Sequence, residues 1–119
     1  MVGGEFERAL WLMRRHDPQL AEDGFQRLSE IAGAHVGELI VEFGLETDHG
    51  LRCWLLELIG QTRSTQSFNV LVAQLQGEDE ALRGWAERGL TLLDTKESRR
   101  VLWQYEQNQS SGAAPACGP

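Results

Sequence analysis

Apolar residues recur along this chain with the spacing of amphipathic helices, and the pattern repeats every 31 residues. An Asp stands three residues before the Leu that opens each of three apolar stripes, at Asp17, Asp48 and Asp79. An Asp in this place caps a helix, because its carboxylate accepts hydrogen bonds from the free amides of the first turn. The pattern therefore predicts three helices that each bury one face. Their stripes are Leu20, Gly24, Leu28 and Ile31; Leu51, Leu55, Ile59 and Thr62; and Leu82, Ala86, Leu90 and Leu93.

A shorter amphipathic segment precedes each of these helices, and a fourth follows the last one. Each has residues of one face at i, i+3, i+4 and i+7, which is helical spacing. The sequence thus predicts helical hairpins in which first helices and second helices alternate. The faces of the first helices are Phe6, Ala9, Leu10 and Met13; Val36, Leu39, Ile40 and Phe43; Phe68, Leu71, Val72 and Leu75; and Ser98, Val101, Leu102 and Tyr105. The first helices span 5–15, 35–45, 67–76 and 97–107, and the second helices span 18–32, 49–62 and 80–93.

These hairpins predict an all-α fold. Because each hairpin buries its face only against its neighbours, we expect a right-handed α-α superhelix, a short HEAT/armadillo-like solenoid of about three and a half hairpins. Residues 1–107 form this repeat domain, and Trp103 and Tyr105 in its last helix are expected to cover the open end. Residues 108–119 have no apolar periodicity and are expected to form a disordered C-terminal tail.

The stretch LRCWLLELIGQTRSTQSFNVLVAQLQGEDEALRGWAERGLTLLD resembles two bacterial HEAT-like repeats of the kind first noted in phycobilin lyases. The likeness lies in a helix that ends in an apolar pair, an acidic turn, and a Leu-Arg that opens a second helix rich in small residues. It extends from about Phe6 to Tyr105 and implies a HEAT-like fold. Arrays of this family serve as adaptors, immunity proteins, lyase chaperones and glycosylases, so the resemblance is specific for fold and weak for function.

One position of the family pattern is an Arg directly after the first core residue of the second helix. It is present as Arg52 and Arg83 but is Ala21 in the first repeat. The family places an acidic partner six residues earlier, and this residue is Glu46 in one repeat and Gly77 in another. The sequence therefore does not predict a continuous ladder of ion pairs between the turns.

Length and charge exclude several classes of protein. The 119 residues suffice for one domain, and 18 acidic against 11 basic residues give a net charge of −7. This charge repels phosphate backbones, so we expect no nucleic-acid partner. Apolar runs are only a few residues long, far short of the ~20 of a spanning helix, and no signal peptide pattern is present. We therefore expect no membrane association and a cytoplasmic location.

The helical wheel predicts a binding face on the second helices. Positions 2, 3, 6 and 10 after the first core Leu point away from the buried stripe and, in arrays of this type, toward the concave side. They form a shallow groove that is acidic at one end, aromatic in the middle and mildly basic at the other. The predicted binding residues are Glu22, Asp23, Gln26, Trp54, Glu57, Gln61, Trp85 and Arg88.

Four tryptophans occupy repeated positions. Trp54 and Trp85 are equivalent residues one repeat apart, and two interpretations are open for them. They can anchor a partner, because Trp is enriched where binding energy is concentrated, or they can pack between successive second helices. Trp11 and Trp103 share one position in the terminal first helices, where we expect them to cap the exposed ends.

Candidate chemistry is sparse. The spacing of His16, His35 and His49 matches no compact metal motif, and no Gly-rich phosphate loop is present. Cys53 is expected to be a buried thiol, and Cys117 lies in the tail, so the two cysteines predict neither a zinc site nor a disulfide. We therefore predict no catalytic residue, no metal site and no cofactor.

Three functional hypotheses follow. The first is a non-catalytic adaptor or scaffold that binds a protein partner on its concave face. The second is an immunity or inhibitor protein against a basic toxin or nuclease, which the acidic charge would steer toward it. The third is an enzyme or lyase chaperone that holds a small ligand against the Trp pair.

Overall fold

The computed structural model describes the backbone of residues 4–117 and the side chains of residues 4–109. Within this part of the chain there are seven α-helices, two short 3₁₀ helices and no strand, which confirms the predicted all-α class. The α-helices are α1 (Glu5–Met13), α2 (Pro18–Ile31), α3 (Val36–Leu45), α4 (His49–Gln61), α5 (Phe68–Leu75), α6 (Glu80–Leu93) and α7 (Lys96–Cys117). The 3₁₀ helices Ala32–Ala34 and Thr65–Ser67 precede α3 and α5.

The ends of α1 to α6 lie within two residues of those predicted, whereas α7 extends ten residues beyond its predicted end at residue 107. The description of side chains stops at residue 109, and residues 118 and 119 lie outside the described residues. The disordered tail over 108–119 therefore stays a prediction.

The three second helices begin at their predicted caps. Each cap Asp adopts an extended backbone and accepts hydrogen bonds from amides of the first turn. Pro18 occupies the first position of α2, where a missing amide hydrogen costs nothing. The donors are Gln19 and Leu20 for Asp17 (2.9 and 3.3 Å), Leu51 for Asp48 (3.0 Å) and Leu82 for Asp79 (3.0 Å).

The second helices contact one another in succession, α2 with α4 and α4 with α6, and α1, α3 and α5 pack against the second helices that follow them. The predicted stripes supply most of the core, but Leu20 is 38% exposed and was wrongly assigned to it. Its counterpart Leu82 is buried beside the preceding second helix. No second helix precedes α2 among the described residues, so Leu20 lacks the neighbour that α4 provides for α6.

The open end beyond α6 is covered by α7, although not by the expected tryptophan. Val101, Leu102 and Tyr105 pack against the core, and Ser98 is fully buried. Trp103 is 61% exposed because it lies just outside the i, i+3, i+4, i+7 face. The sequence therefore placed the covering helix correctly and misassigned one of its two aromatic residues.

Arg52 and Arg83 each close a turn by donating to the main chain. Nη1 of Arg52 donates to the carbonyl oxygens of Phe43 (2.8 Å) and Glu46 (3.1 Å). Nη1 of Arg83 donates to the carbonyl oxygen of Gly77 (3.1 Å). Because the acceptor six residues earlier is a backbone carbonyl in both repeats, Gly77 serves as well as Glu46. The missing acidic side chain at residue 77 thus leaves this contact intact.

Candidate binding face on the second helices

A cleft of about 140 Å³ lies between the second helices α4 and α6. Four of the eight predicted binding residues line it: Glu57, Gln61, Trp85 and Arg88. The fold therefore brings together side chains that are 24 to 31 residues apart in sequence, as the repeat predicts. The lining of this α4–α6 cleft is completed by Gly60, Gly89 and Leu92.

The floor of the cleft is the crossing point of the two helices. A Cβ atom added to Gly60 would lie 2.9 Å from the Cα atom of Gly89, and one added to Gly89 would lie 2.9 Å from Cδ2 of Leu71. Only glycine therefore allows the two backbones to approach this closely. This contact sets the distance between the two walls of the cleft.

Glu57 is the ionisable group most affected by the cleft. Burial raises the pKa of its carboxyl above the ordinary value, and the positive charge of Arg88 only partly offsets this effect. Its Oε2 accepts a weak hydrogen bond from Nε2 of Gln61 (3.4 Å). Oε1 of Gln61 in turn accepts from Ser29 of α2 (3.0 Å), which ties the cleft to the preceding repeat.

Replacing Glu57 by Gln should stabilise the fold at neutral pH. Because the pKa of the Glu57 carboxyl is raised in the folded state, the folded protein binds the carboxyl proton more tightly than the unfolded chain does. The ionised carboxylate therefore lowers the free energy of unfolding at pH values above the folded pKa. Gln removes that penalty. The melting temperature of Glu57→Gln should exceed that of the wild type at pH 7, and the difference should shrink as the pH falls through the raised pKa of Glu57. An equal melting temperature at pH 7 would contradict this account.

Trp85 and Arg88 form the lip of the cleft. The indole of Trp85 is half-buried, and the Arg88 guanidinium carbon lies 5.7 Å from its ring centroid, within cation–π range. Both side chains also border a neighbouring depression of about 200 Å³, lined further by Glu80, Ala81 and Gly84. The indole edge of Trp85 and the guanidinium of Arg88 are thus accessible both from the cleft and from this neighbouring depression.

Trp54 has a different environment although it is the repeat equivalent of Trp85. Its ring lies 5.0 Å from that of Phe25 in a tilted arrangement, so it packs between α2 and α4. Its remaining surface lines a separate cavity of about 480 Å³ with Arg14, Arg15 and His16 of the first hairpin. Trp54 is therefore an inter-repeat packing residue with one accessible edge, and it lies outside the α4–α6 cleft.

The three predicted binding residues of α2 are solvent-exposed. Glu22 and Gln26 are exposed, and Asp23 is exposed and accepts a long hydrogen bond from Gln19 (3.4 Å). None of the three lines the α4–α6 cleft. Their part in a common groove with Glu57 and Trp85 stays a prediction.

A Cys, a His and an Asp meet at the beginning of α4. Nε2 of His49 lies 2.8 Å from Oδ2 of Asp79 and 3.9 Å from Sγ of Cys53. A nucleophile relay needs one ring nitrogen toward the acid and the other toward the thiol, whereas here both contacts use the same nitrogen. Burial raises the pKa of the Cys53 thiol, and the charge of Asp79 raises it further. This arrangement therefore keeps the thiol protonated, and Cys53 is half-buried rather than fully buried as expected.

Sequence reasoning missed Gly60 and Gly89 as members of the site. A signal was present, because glycine inside an otherwise helical pattern indicates close approach of another backbone.

In the part of the chain that is described, no group of three His, Cys, Asp or Glu side chains could hold a metal ion. No helix of that part is both long and apolar enough to span a bilayer.

Comparison with known proteins adds no relative: no family model matches this chain, and no curated protein or solved structure is significantly similar to it.

Proposed function

We propose that this chain is a non-catalytic HEAT-like repeat module, an adaptor or scaffold, that binds a protein partner on the face of its second helices. The proposed arrangement is a short right-handed solenoid. Support comes from three equivalent Asp caps and from second helices that contact each other in succession. Stacked hairpins of this kind create extended surfaces suited to protein recognition.

The observation that carries the proposal is the half-buried indole of Trp85 at the lip of a cleft whose floor is fixed by the Gly60–Gly89 contact. A large aromatic ring held on a rigid helix loses little entropy on binding and offers a large contact area. The ring of Trp54 packs against Phe25, and its accessible edge borders the wider depression of about 480 Å³ instead of the cleft.

The charges of the cleft indicate the chemistry of the partner. Glu57 is partly desolvated before any partner arrives, and Arg88 stands on the opposite wall. Two opposite charges flanking an indole suit a protein side chain that combines an apolar stem with a polar end. A cleft of about 140 Å³ accommodates one such side chain, and a surface contact of ordinary size would surround it.

The test compares two tryptophan variants. Trp85→Ala should weaken binding by on the order of 2 kcal/mol, about 30-fold, because it removes the aromatic anchor. Trp103→Ala makes the same chemical change at an exposed ring of α7 and should leave affinity unchanged. The partner is first recovered with the immobilised wild-type protein, and affinities are then measured by calorimetric titration.

Thermal melts separate binding from stability. Trp85→Ala should lose much more affinity than stability. Because the ring is half-buried and packs against the core, its loss should lower the melting temperature only modestly. Equal affinity of Trp85→Ala and wild type for the recovered partner would reject the cleft as the binding site. Turnover of a small molecule by the pure protein, abolished by a single carboxylate change, would reject the non-catalytic proposal.

A further inference from the structure

The first helices α1 and α3 lie side by side, in the same direction and in the same register. At their beginnings the rings of Phe6 and His35 stack at 4.7 Å. At their ends the Arg14 guanidinium contacts the carboxylates of Glu42 (2.9 Å) and Glu46 (3.1 Å). These contacts join residues 29, 28 and 32 positions apart, so each residue of α1 is level with its repeat equivalent in α3 to within about two residues.

The outward stripes of these two helices are chemically complementary. Along α1 and just beyond its end, the residues at i, i+3 and i+7 are Arg8, Trp11 and Arg15, and Trp11 is 55% exposed. The equivalent residues of α3 are Glu38, Val41 and Leu45. Val41 and Leu45 are 58% and 71% exposed. One stripe is thus basic and aromatic, and its neighbour is acidic and aliphatic.

The positive charges of the basic stripe are not paired with carboxylates of the described side chains. Among the described side chains no carboxylate lies within 4.0 Å of the guanidinium groups of Arg8, Arg15 or Arg27. Arg15 instead stacks on Trp11, at 4.1 Å from the ring centroid. A hollow of about 720 Å³ beside Trp11, lined further by Glu7, Arg8, Leu12 and Arg27, leaves room for side chains of an opposing helix.

We propose that this surface, defined by Arg8, Trp11, Glu38, Val41 and Leu45, binds a second copy of the same chain in a two-fold symmetric dimer. A two-fold axis that runs between α1 and α3, parallel to both, places α1 of one copy over α3 of the other at the same height. A contact of this kind uses the same patch on both copies and is closed.

The shared register then decides which side chains meet. Arg8 faces Glu38 of the second copy, whose carboxylate also contacts Nδ1 of His35 in its own chain. Trp11 faces Val41, and each contact occurs twice. Pairing α1 with a second α1 would place Arg8 against Arg8 and is disfavoured by charge. Arg100 of α7 is the repeat equivalent of Arg8, so pairing α1 with α7 is disfavoured for the same reason.

This dimer shares no residue with the α4–α6 cleft. A partner bound at the cleft and a second copy bound at α1 and α3 use separate surfaces, so a dimer presents two clefts. Two linked clefts raise the apparent affinity for any partner that carries two matching segments.

Sedimentation velocity over a concentration series tests the proposal through a charge exchange. Wild type should pass from monomer to dimer as the concentration rises. Arg8→Glu and Glu38→Arg should each weaken self-association at least about tenfold, because each creates two like-charge contacts. An equimolar mixture of the two variants should dimerise again, since every contact in that heterodimer joins opposite charges. Arg100→Glu is the matched control and should dimerise as wild type does.

The positions are exposed, and thermal melts will show that each variant is folded. A wild type that stays monomeric over the whole series would overturn the proposal. So would single variants that dimerise like wild type, or a mixture of folded variants that does not dimerise. Loss of self-association in Arg100→Glu alone would assign the contact to α7 and also overturn it. None of these results bears on Trp85, so the proposed function and the dimer are tested separately.

Discussion

Replacing Gly24 by Ala should destabilise the fold by on the order of 3 kcal/mol, because α1 and α2 touch through their backbones at this point. A Cβ atom added to Gly24 would lie 2.3 Å from the amide nitrogen of Met13 and 2.6 Å from the carbonyl oxygen of Ala9. Backbone atoms cannot rotate away as a side chain would. The two helices must therefore move apart, which opens the packing around Met13 and Leu28.

The control for Gly24 is another helical glycine with open space around it. A Cβ atom added to Gly44 in α3 meets nothing within 4 Å. Gly44→Ala should therefore stabilise the protein by about 0.5–1 kcal/mol, the ordinary gain of Ala over Gly in a helix. Urea denaturation of the two variants measures the contrast. If both substitutions shift the urea midpoint in the same direction, the claim that the backbones of α1 and α2 touch at Gly24 is wrong.

Ending the chain at residue 95 should destabilise the fold by roughly 3–5 kcal/mol, because it removes the half-buried side chains of α7 and uncovers α6. Val101, Leu102 and Tyr105 pack against the core that contains Leu90 and Leu93. Two reciprocal hydrogen bonds between Thr95 and Ser98 also stabilise the beginning of α7. The Ser98 hydroxyl accepts from the Thr95 amide (2.8 Å), and the Thr95 hydroxyl accepts from the Ser98 amide (3.0 Å).

A chain that ends at residue 108 is the matched truncation. It keeps Val101, Leu102 and Tyr105, the described residues of α7 that pack against the core, and removes only the segment predicted to be a tail. Its urea midpoint should equal that of the full chain. A large loss of stability on removing residues 109–119 would show that the tail is part of the fold.

The helices could be predicted because their signals are local. An Asp cap and an apolar stripe of helical spacing act within one or two turns, so Asp17, Asp48 and Asp79 mark the second helices correctly. The burial of Leu20 and Trp103 could not be predicted, because a stripe shows which side of a helix is apolar and not whether another helix covers it. Leu20 lies where the stack begins, and Trp103 lies beside the packed face of α7.

The grouping of four candidate side chains in one cleft could be predicted for the same reason. The repeat places Glu57 and Gln61 opposite Trp85 and Arg88, and these four residues meet in one cleft. The difference between Trp54 and Trp85 could not be predicted, because equivalent positions need not have equivalent neighbours. Trp54 packs on the ring of Phe25, and that contact depends on the preceding repeat.

Chemical-shift mapping of the bound partner on the isotope-labelled protein tests the central claim most directly. Amide and side-chain shifts are recorded as the partner recovered with the wild type is titrated into the protein. The account predicts that the largest changes occur at residues 57–61 of α4 and 85–92 of α6, with the indole signal of Trp85 among them. Changes confined to the first helices and α7, with the cleft unaffected, would contradict it.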